Sequence, residues 1–330
     1  MHSLIDRYRE RLPVSDRTPV ISLGEGSTPL LRAPRISQRL GVELYLKWEG
    51  ANPTGSFKDR GMTVAISKAV EGGARTVICA STGNTAASSA AYAAWAGLAA
   101  VVLTPAGAVA SGKLAQARAL GACVLDVRGS FDKALSAARA LSDRGTHVLV
   151  NSINPDRLEG QKTAAFEIVE ELDAAPDVLA LPYGGGGNLT AYARGFAESG
   201  ARMPRLVGGE AAERATTDAS AIRITDPAHA STVAEAVGTS GGAVVSLADD
   251  AIIEAWHELA REEGVFCEPA SAAGLAACNS LLQAGELELG STVVCVITGH
   301  GLKDPETAAR LNPVPVVVDP DPDAIEAASQ

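Results

Sequence analysis

Five short segments carry residue types that handle amines and anions. In Gly55-Ser56-Phe57-Lys58-Asp59-Arg60-Gly61, Lys58 stands where a loop enters a helix that the spacing begins near Thr63. An ammonium near a helix N-terminus, partly out of water, is disfavoured in its charged form. A neutral amine so placed can act as a Schiff-base nucleophile or as a base. Taken alone, such a lysine is more often solvated. In Ser81-Thr82-Gly83-Asn84-Thr85, three hydroxyls and free backbone N–H groups lie at a strand end just before a helix. They suit a carboxylate or phosphate, or ordinary capping by Asn84 and Thr85.

The run Gly184-Gly185-Gly186-Gly187-Asn188 again joins a strand to a helix. Four consecutive glycines cost backbone entropy, and their N–H groups can form a nest for a phosphate. The run is neither G-x-G-x-x-G nor a Walker loop. In Asn151-Ser152-Ile153-Asn154-Pro155-Asp156-Arg157, Arg157 and Ser152 could clamp an anion, or Arg157 could make a surface ion pair. In Thr298-Gly299-His300-Gly301-Leu302-Lys303-Asp304, Thr298 offers a hydroxyl at the end of the last strand, and His300 is read as a turn residue near the site. His2, His147, His229 and His257 lack the partners of a triad or the spacing of a zinc site, so no metal is expected.

The elements that must hold these segments alternate. Between 63 and 152 the pattern gives helices over 63–72, 84–97, 111–121 and 130–144, and strands over 76–81, 99–105, 123–129 and 147–152. A second series has helices over 159–172, 189–199, 249–264 and 271–284, with strands over 178–183, 205–209 and 292–298. The stretch 211–242 has little periodicity and reads as irregular connection with short helices, and 312–330, rich in Pro and Asp, as a surface tail. Continuous apolar strands separated by helices predict parallel sheets covered on both faces. Two α/β lobes follow, one embedded in the other, with ligands at the carboxyl ends of the strands between them.

Composition sets the outer bounds. At 330 residues the chain is long enough for about two domains, and 46% hydrophobic residues argue against general disorder. No apolar run approaches the roughly 20 residues of a membrane span. The net charge of −11, without a dense Lys/Arg cluster, speaks against a nucleic-acid partner. Residues 1–10 lack the apolar core of a secretory signal. Cys79, Cys123, Cys267, Cys278 and Cys295 are odd in number with no C-x-x-C, and read mostly as buried thiols of a cytoplasmic protein.

A lysine, an anion loop, a phosphate nest and a strand-end hydroxyl, in this order along the chain, are the parts that hold pyridoxal phosphate. At these residues the chain resembles the tryptophan-synthase-β-like (fold type II) pyridoxal-phosphate enzymes, and within them the threonine synthase branch. The stretch 44–62, Leu-Tyr-Leu-Lys-Trp-Glu-Gly-Ala-Asn-Pro-Thr-Gly-Ser-Phe-Lys-Asp-Arg-Gly-Met, is similar to the family's lysine motif nearly throughout. Segment 81–88 resembles its substrate loop, and 151–163, 264–273 (with Glu268-Pro269-Ala270-Ser271) and 298–305 resemble the threonine synthase branch.

The resemblance implies two three-layer, parallel-sheet lobes: residues 1–50 with 151–330 as the larger, and 51–150 as a smaller inserted one. Residues 22–305 would form one catalytic unit, in a homodimer. It implies that Lys58 holds the cofactor and shuttles protons, and that Gly184, Gly185, Gly186, Gly187 and Asn188 bind its phosphate. Asn84 would bond the ring hydroxyl and Thr298 would face the pyridine nitrogen. Ser81, Thr82 and Thr85 would bind the substrate's anionic groups, and Ser152, Asn154 and Arg157 the phosphate of O-phosphohomoserine. The implied reaction is γ-elimination of phosphate followed by addition of water at Cβ, giving threonine.

Three positions depart from the branch. Gly-Gly-Gly-Gly-Asn over 184–188 stands where Gly-Asn-Ala-Gly-Asn is usual, Glu210 stands for a glutamine before a shortened segment, and His300 stands for an asparagine. These keep other readings open on the same cofactor: β-replacement on phosphoserine, as in a cysteate-synthase-like enzyme, or dehydration of threonine or serine. A non-catalytic ligand-binding relative is the remaining alternative, against which the intact Lys58 argues.

Overall fold

The computed structural model describes residues 3–107 and 114–329. Among these residues ten strands form two sheets. The larger contains β1 (Leu30–Arg32), β2 (Glu43–Trp48), β7 (Val178–Pro182), β8 (Arg205–Ala211), β9 (Ala243–Leu247) and β10 (Thr292–Ile297), in the order β1-β2-β10-β7-β8-β9. The smaller contains β3 (Thr76–Ala80), β4 (Ala99–Pro105), β5 (Cys123–Val127) and β6 (Val148–Leu149), in the order β5-β4-β3-β6. All pairings are parallel except β1 on β2. Central strands such as β7 are buried throughout, because helices cover both faces.

The predicted strands of both series are present, and the helix opened by Ser130 is capped by that hydroxyl on Lys133 N–H. The differences have physical causes. The expected helix over 111–121 lies partly outside the described residues, and its described core is Ala115–Ala119. The lysine helix spans Lys58–Glu71 and so begins five residues before the periodicity suggests, with Lys58 in its first turn. Short β1 and half-buried edge strand β9 give too little alternation to be read from sequence. The stretch 211–242 holds the helix Ala230–Thr239, whose small residues hide the apolar period.

Parallel strands send their carboxyl ends the same way, and the site segments follow from that. Trp48 pairs with Ile297, so Glu49 and Thr298 leave adjacent strands side by side. The 55–57 loop then runs against 298–300: Phe57 N–H donates to Thr298 O at 3.0 Å and His300 N–H to Gly55 O at 2.9 Å. The Lys58 helix crosses the helix Pro155–Leu172 at two glycines. A Cβ on Gly160 would stand 2.0 Å from Arg60 O, and one on Gly61 2.5 Å from Arg157 O. No larger residue permits that approach, which sets Arg157 beside Lys58.

Arg60 locks the crossing. Its guanidinium bonds Glu49 at 2.7 and 2.8 Å, Glu167 at 2.7 and 2.6 Å and Thr28 at 2.9 Å, all buried. Lys47 adds a second cation 3.0 Å from Glu167. Among the described residues, no helix is long and apolar enough to cross a membrane.

Candidate active site

Lys58 is half-buried, with Nζ 4.3 Å from the centroid of the Phe57 ring, and no carboxylate lies within ion-pair distance among the described residues. Burial and the charge of Arg157 pull its pKa down to about 7, opposed in part by Glu268. The amine is therefore substantially neutral at physiological pH, as a nucleophile or base requires.

Asn84 does not cap its helix: the N-cap is Gly83, and no side chain caps there. Its amide instead donates to both oxygens of Glu268, at 3.0 and 3.1 Å. Glu268 is buried against Gly299, where a Cβ would stand 2.4 Å from Oε1. Burial pushes its pKa up, while Asn84, Lys303 and Lys58 pull it back. Ser81 Oγ accepts from the N–H groups of Gly83 and Ala86 at 3.3 and 3.2 Å. The hydroxyls of Thr82 and Thr85 have no hydrogen-bond partner among the described residues.

Thr298 meets Ser271, hydroxyl to hydroxyl, at 2.9 Å, and Ser271 Oγ also accepts from Gly299 N–H at 3.0 Å. The end of β10 thus presents a neutral hydroxyl pair. His300 is the turn residue its neighbours suggest: Nδ1 accepts from Leu302 N–H at 3.1 Å, and the ring packs on Trp48 and Phe266. Lys303 donates to Thr54 O at 3.1 Å and Gln116 Oε1 at 2.5 Å, tying this loop to the lysine loop and to the smaller sheet's side.

The glycine run is a tight arch. Gly186 has φ +85°, in the left-handed region, and a Cβ there would stand 2.8 Å from Val233 Cγ2. The N–H groups of Gly184, Gly185 and Gly186 meet no acceptor among the described residues, and the buried Nδ2 of Asn188 and Oγ1 of Thr190 are also unpaired. Glu210 forms an ion pair with Arg214, whose guanidinium bonds Gly184 O at 3.2 Å and Ile224 O at 2.8 Å and covers the Tyr183 ring. The carboxylate thus serves the architecture of the arch.

Arg157 makes no surface ion pair. It is fully buried, one nitrogen donates to Val150 O at 2.9 Å, and Nε and Nη2 have no acceptor among the described residues. Burial brings its pKa down to about 10. A buried unpaired donor costs about 1–3 kcal/mol, more when charged, so an anion reaching these two nitrogens would relieve that cost. Asn154 caps the helix of Arg157 through Asp156 N–H at 2.9 Å and bonds Leu149 O at 2.9 Å, which fixes the loop. Ser152 is half-exposed beside it.

The segments singled out from sequence therefore gather at the strand ends. Glu268 and Ser271 escaped identification as site residues because their partners are remote: Asn84 lies 184 residues from Glu268 and Thr298 27 from Ser271. The four residues Glu268-Pro269-Ala270-Ser271 were the only signal.

Residues 21–299 match the family model of pyridoxal-phosphate dependent enzymes. The chain is 51% identical over 320 residues to a threonine synthase of Halalkalibacterium halodurans, covering 92% of this chain and 90% of that one. It is 53% identical over 325 residues to a threonine synthase of a Synechocystis species, covering 93% and 85%. Among solved structures, an O-ureido-L-serine synthase superposes with a TM-score of 0.76 at 19% identity, covering 96% of this chain and 100% of that one.

Proposed function

The chain belongs to the pyridoxal-phosphate-dependent enzymes, and on that footing we propose that it is a threonine synthase, eliminating phosphate from O-phospho-L-homoserine and adding water at Cβ to give L-threonine. The likeness to the threonine synthases over nearly the whole chain carries this reading. Buried Arg157 beside Lys58, whose Nε and Nη2 meet no acceptor among the described residues, supports a phosphorylated substrate.

Pyridoxal phosphate is the cofactor, and the residues present fit it. Gly184, Gly185 and Gly186 offer backbone N–H donors, and Asn188 its Nδ2, that meet no acceptor among the described residues, and with Gly187 they would take its phosphate. Lys58 would hold the aldehyde carbon, Asn84 would bond the ring hydroxyl, and Thr298, steadied by Ser271, would face the pyridine nitrogen. When bound, the cofactor supplies an electron sink for carbanions at Cα and Cβ of the substrate.

The rest is the work of side chains. Lys58 Nζ would take the proton from Cα and then one from Cβ as phosphate leaves Cγ; one proton goes to Cγ to complete the methyl group, water adds its OH at Cβ and releases a proton, and Lys58 returns a proton to Cα. One amine on a short tether reaches both carbons because the first turn of its helix is pinned against 298–300. Ser81, Thr82 and Thr85 hold the substrate's carboxylate, while Ser152, Asn154 and Arg157 hold its phosphate. A hydroxyl at Thr298, unlike a carboxylate, would leave the ring nitrogen largely unprotonated and so moderate the sink.

The same proposal takes residues 51–150 as an inserted lobe on 1–50 with 151–330, and the protein as a cytoplasmic homodimer. Five cysteines without a disulfide support a reducing compartment.

The test is a balance of products. Incubation with O-phosphohomoserine and pyridoxal phosphate is expected to release phosphate and threonine in equal amounts, and borohydride reduction to tag Lys58. Phosphate release from phosphoserine instead, with no threonine, would overturn the assignment.

A further inference from the structure

The mechanism above leaves His229 unused. It precedes the helix Ala230–Thr239 on the connection that crosses the glycine arch. Its backbone N–H donates to Gly185 O at 3.2 Å. Its Cβ lies 3.0 Å from where a Cβ on Gly186 would stand, and its ring edge 3.5 Å from one on Gly187. The ring's Nε2 lies 3.2 Å from the carbonyl oxygen of Ser152. A carbonyl only accepts, so Nε2 carries the proton in that bond. One imidazole therefore spans the arch that takes the cofactor's phosphate and the loop that carries Ser152 and Arg157. The glycines make room for it: any Cβ at Gly186 would press on His229 and Val233 together.

We propose that His229 is a positioning residue for the substrate's phosphate. By holding the Ser152 peptide against the glycine arch, it fixes the distance between the two anion sites. The Ser152 hydroxyl and the unpaired face of Arg157 then meet one phosphate group at a set reach from the cofactor. The proposal deepens the phosphohomoserine reading and rests on it. It makes the bridge a determinant of specificity for a substrate whose phosphate lies at a fixed span from its amino group, with no part in proton transfer.

The test uses holoenzyme and three readouts: KM and kcat for O-phosphohomoserine, the affinity for inorganic phosphate followed by cofactor absorbance, and the affinity for the cofactor. His229→Ala is expected to raise KM and weaken phosphate binding about tenfold, the scale of one hydrogen bond bearing on a charged ligand, with kcat within about twofold. His229→Gln keeps an N–H donor and is expected to recover most of the loss. Should the alanine variant fail to fold, His229→Met, which fills the space without a donor, takes its place with the same expectation. A KM and phosphate affinity within twofold of wild type would overturn the proposal. So would a loss confined to kcat, or a fall in cofactor affinity that accounts for the whole effect. Phosphate binding is read without turnover. A protein that made no threonine, yet lost phosphate affinity on substitution, would refute the substrate and leave the bridge standing.

Discussion

Lys58 has been stripped of water and set near another cation, and its acid–base behaviour follows. With its pKa down to about 7 from an ordinary 10.5, the amine of cofactor-free protein is neutral over most of the range in which a surface lysine is charged. Capture of pyridoxal phosphate should rise with pH to a half-maximum near 7, read by stopped-flow absorbance. Because Glu268 opposes the downward shift, Glu268→Gln should move that midpoint lower still. Stability carries the same sign: between about 7 and 10.5 the unfolded chain binds the proton that the folded chain has released. Lys58 therefore contributes a stability that rises with pH across that window. Lys58→Ala should abolish turnover and show a melting temperature no lower than wild type, since it removes a partly desolvated amine with no ion-pair partner among the described residues.

The elements matter through where they end and how closely they approach. Gly186→Ala puts a Cβ into a left-handed residue and 2.8 Å from Val233. The conformational term alone is about 1–2 kcal/mol, and cofactor affinity should fall at least tenfold in an absorbance titration. Parallel strands β3, β4, β7 and β10 were legible because burial on both faces leaves unbroken apolar runs. The turns after them were legible because glycines and hydroxyls punctuate strand ends. What periodicity could not carry was contact between distant elements. Glu268 reads locally as one more acid near a proline, and only the fold brings Asn84 to it. His229 falls in a stretch of small residues whose sequence says nothing of the arch beneath.

At the scale of the molecule, the two sheets are joined where Arg60 ties the turn after β2, the lysine helix and the helix Pro155–Leu172. Burial would push Glu167 up, but Arg60 and Lys47 outweigh it and hold its pKa down to about 2. Below its unfolded value of 4.5, that advantage is lost as pH falls toward 2. Arg60→Ala leaves two buried carboxylates without their shared partner. It should cost about 3–5 kcal/mol, seen as a lower denaturation midpoint and a weaker loss of stability between pH 4.5 and 2.

The smaller sheet has a feature of practical use. Four of the five thiols are sealed in the cores, while Cys123 lies exposed on edge strand β5. Maleimide should therefore label the native chain once and the denatured chain five times. A fluorophore attached at that single address, on the rim of the sheet that carries Ser81–Thr85, would report whether the surroundings of this sheet change when substrate is added, in otherwise unaltered wild-type enzyme.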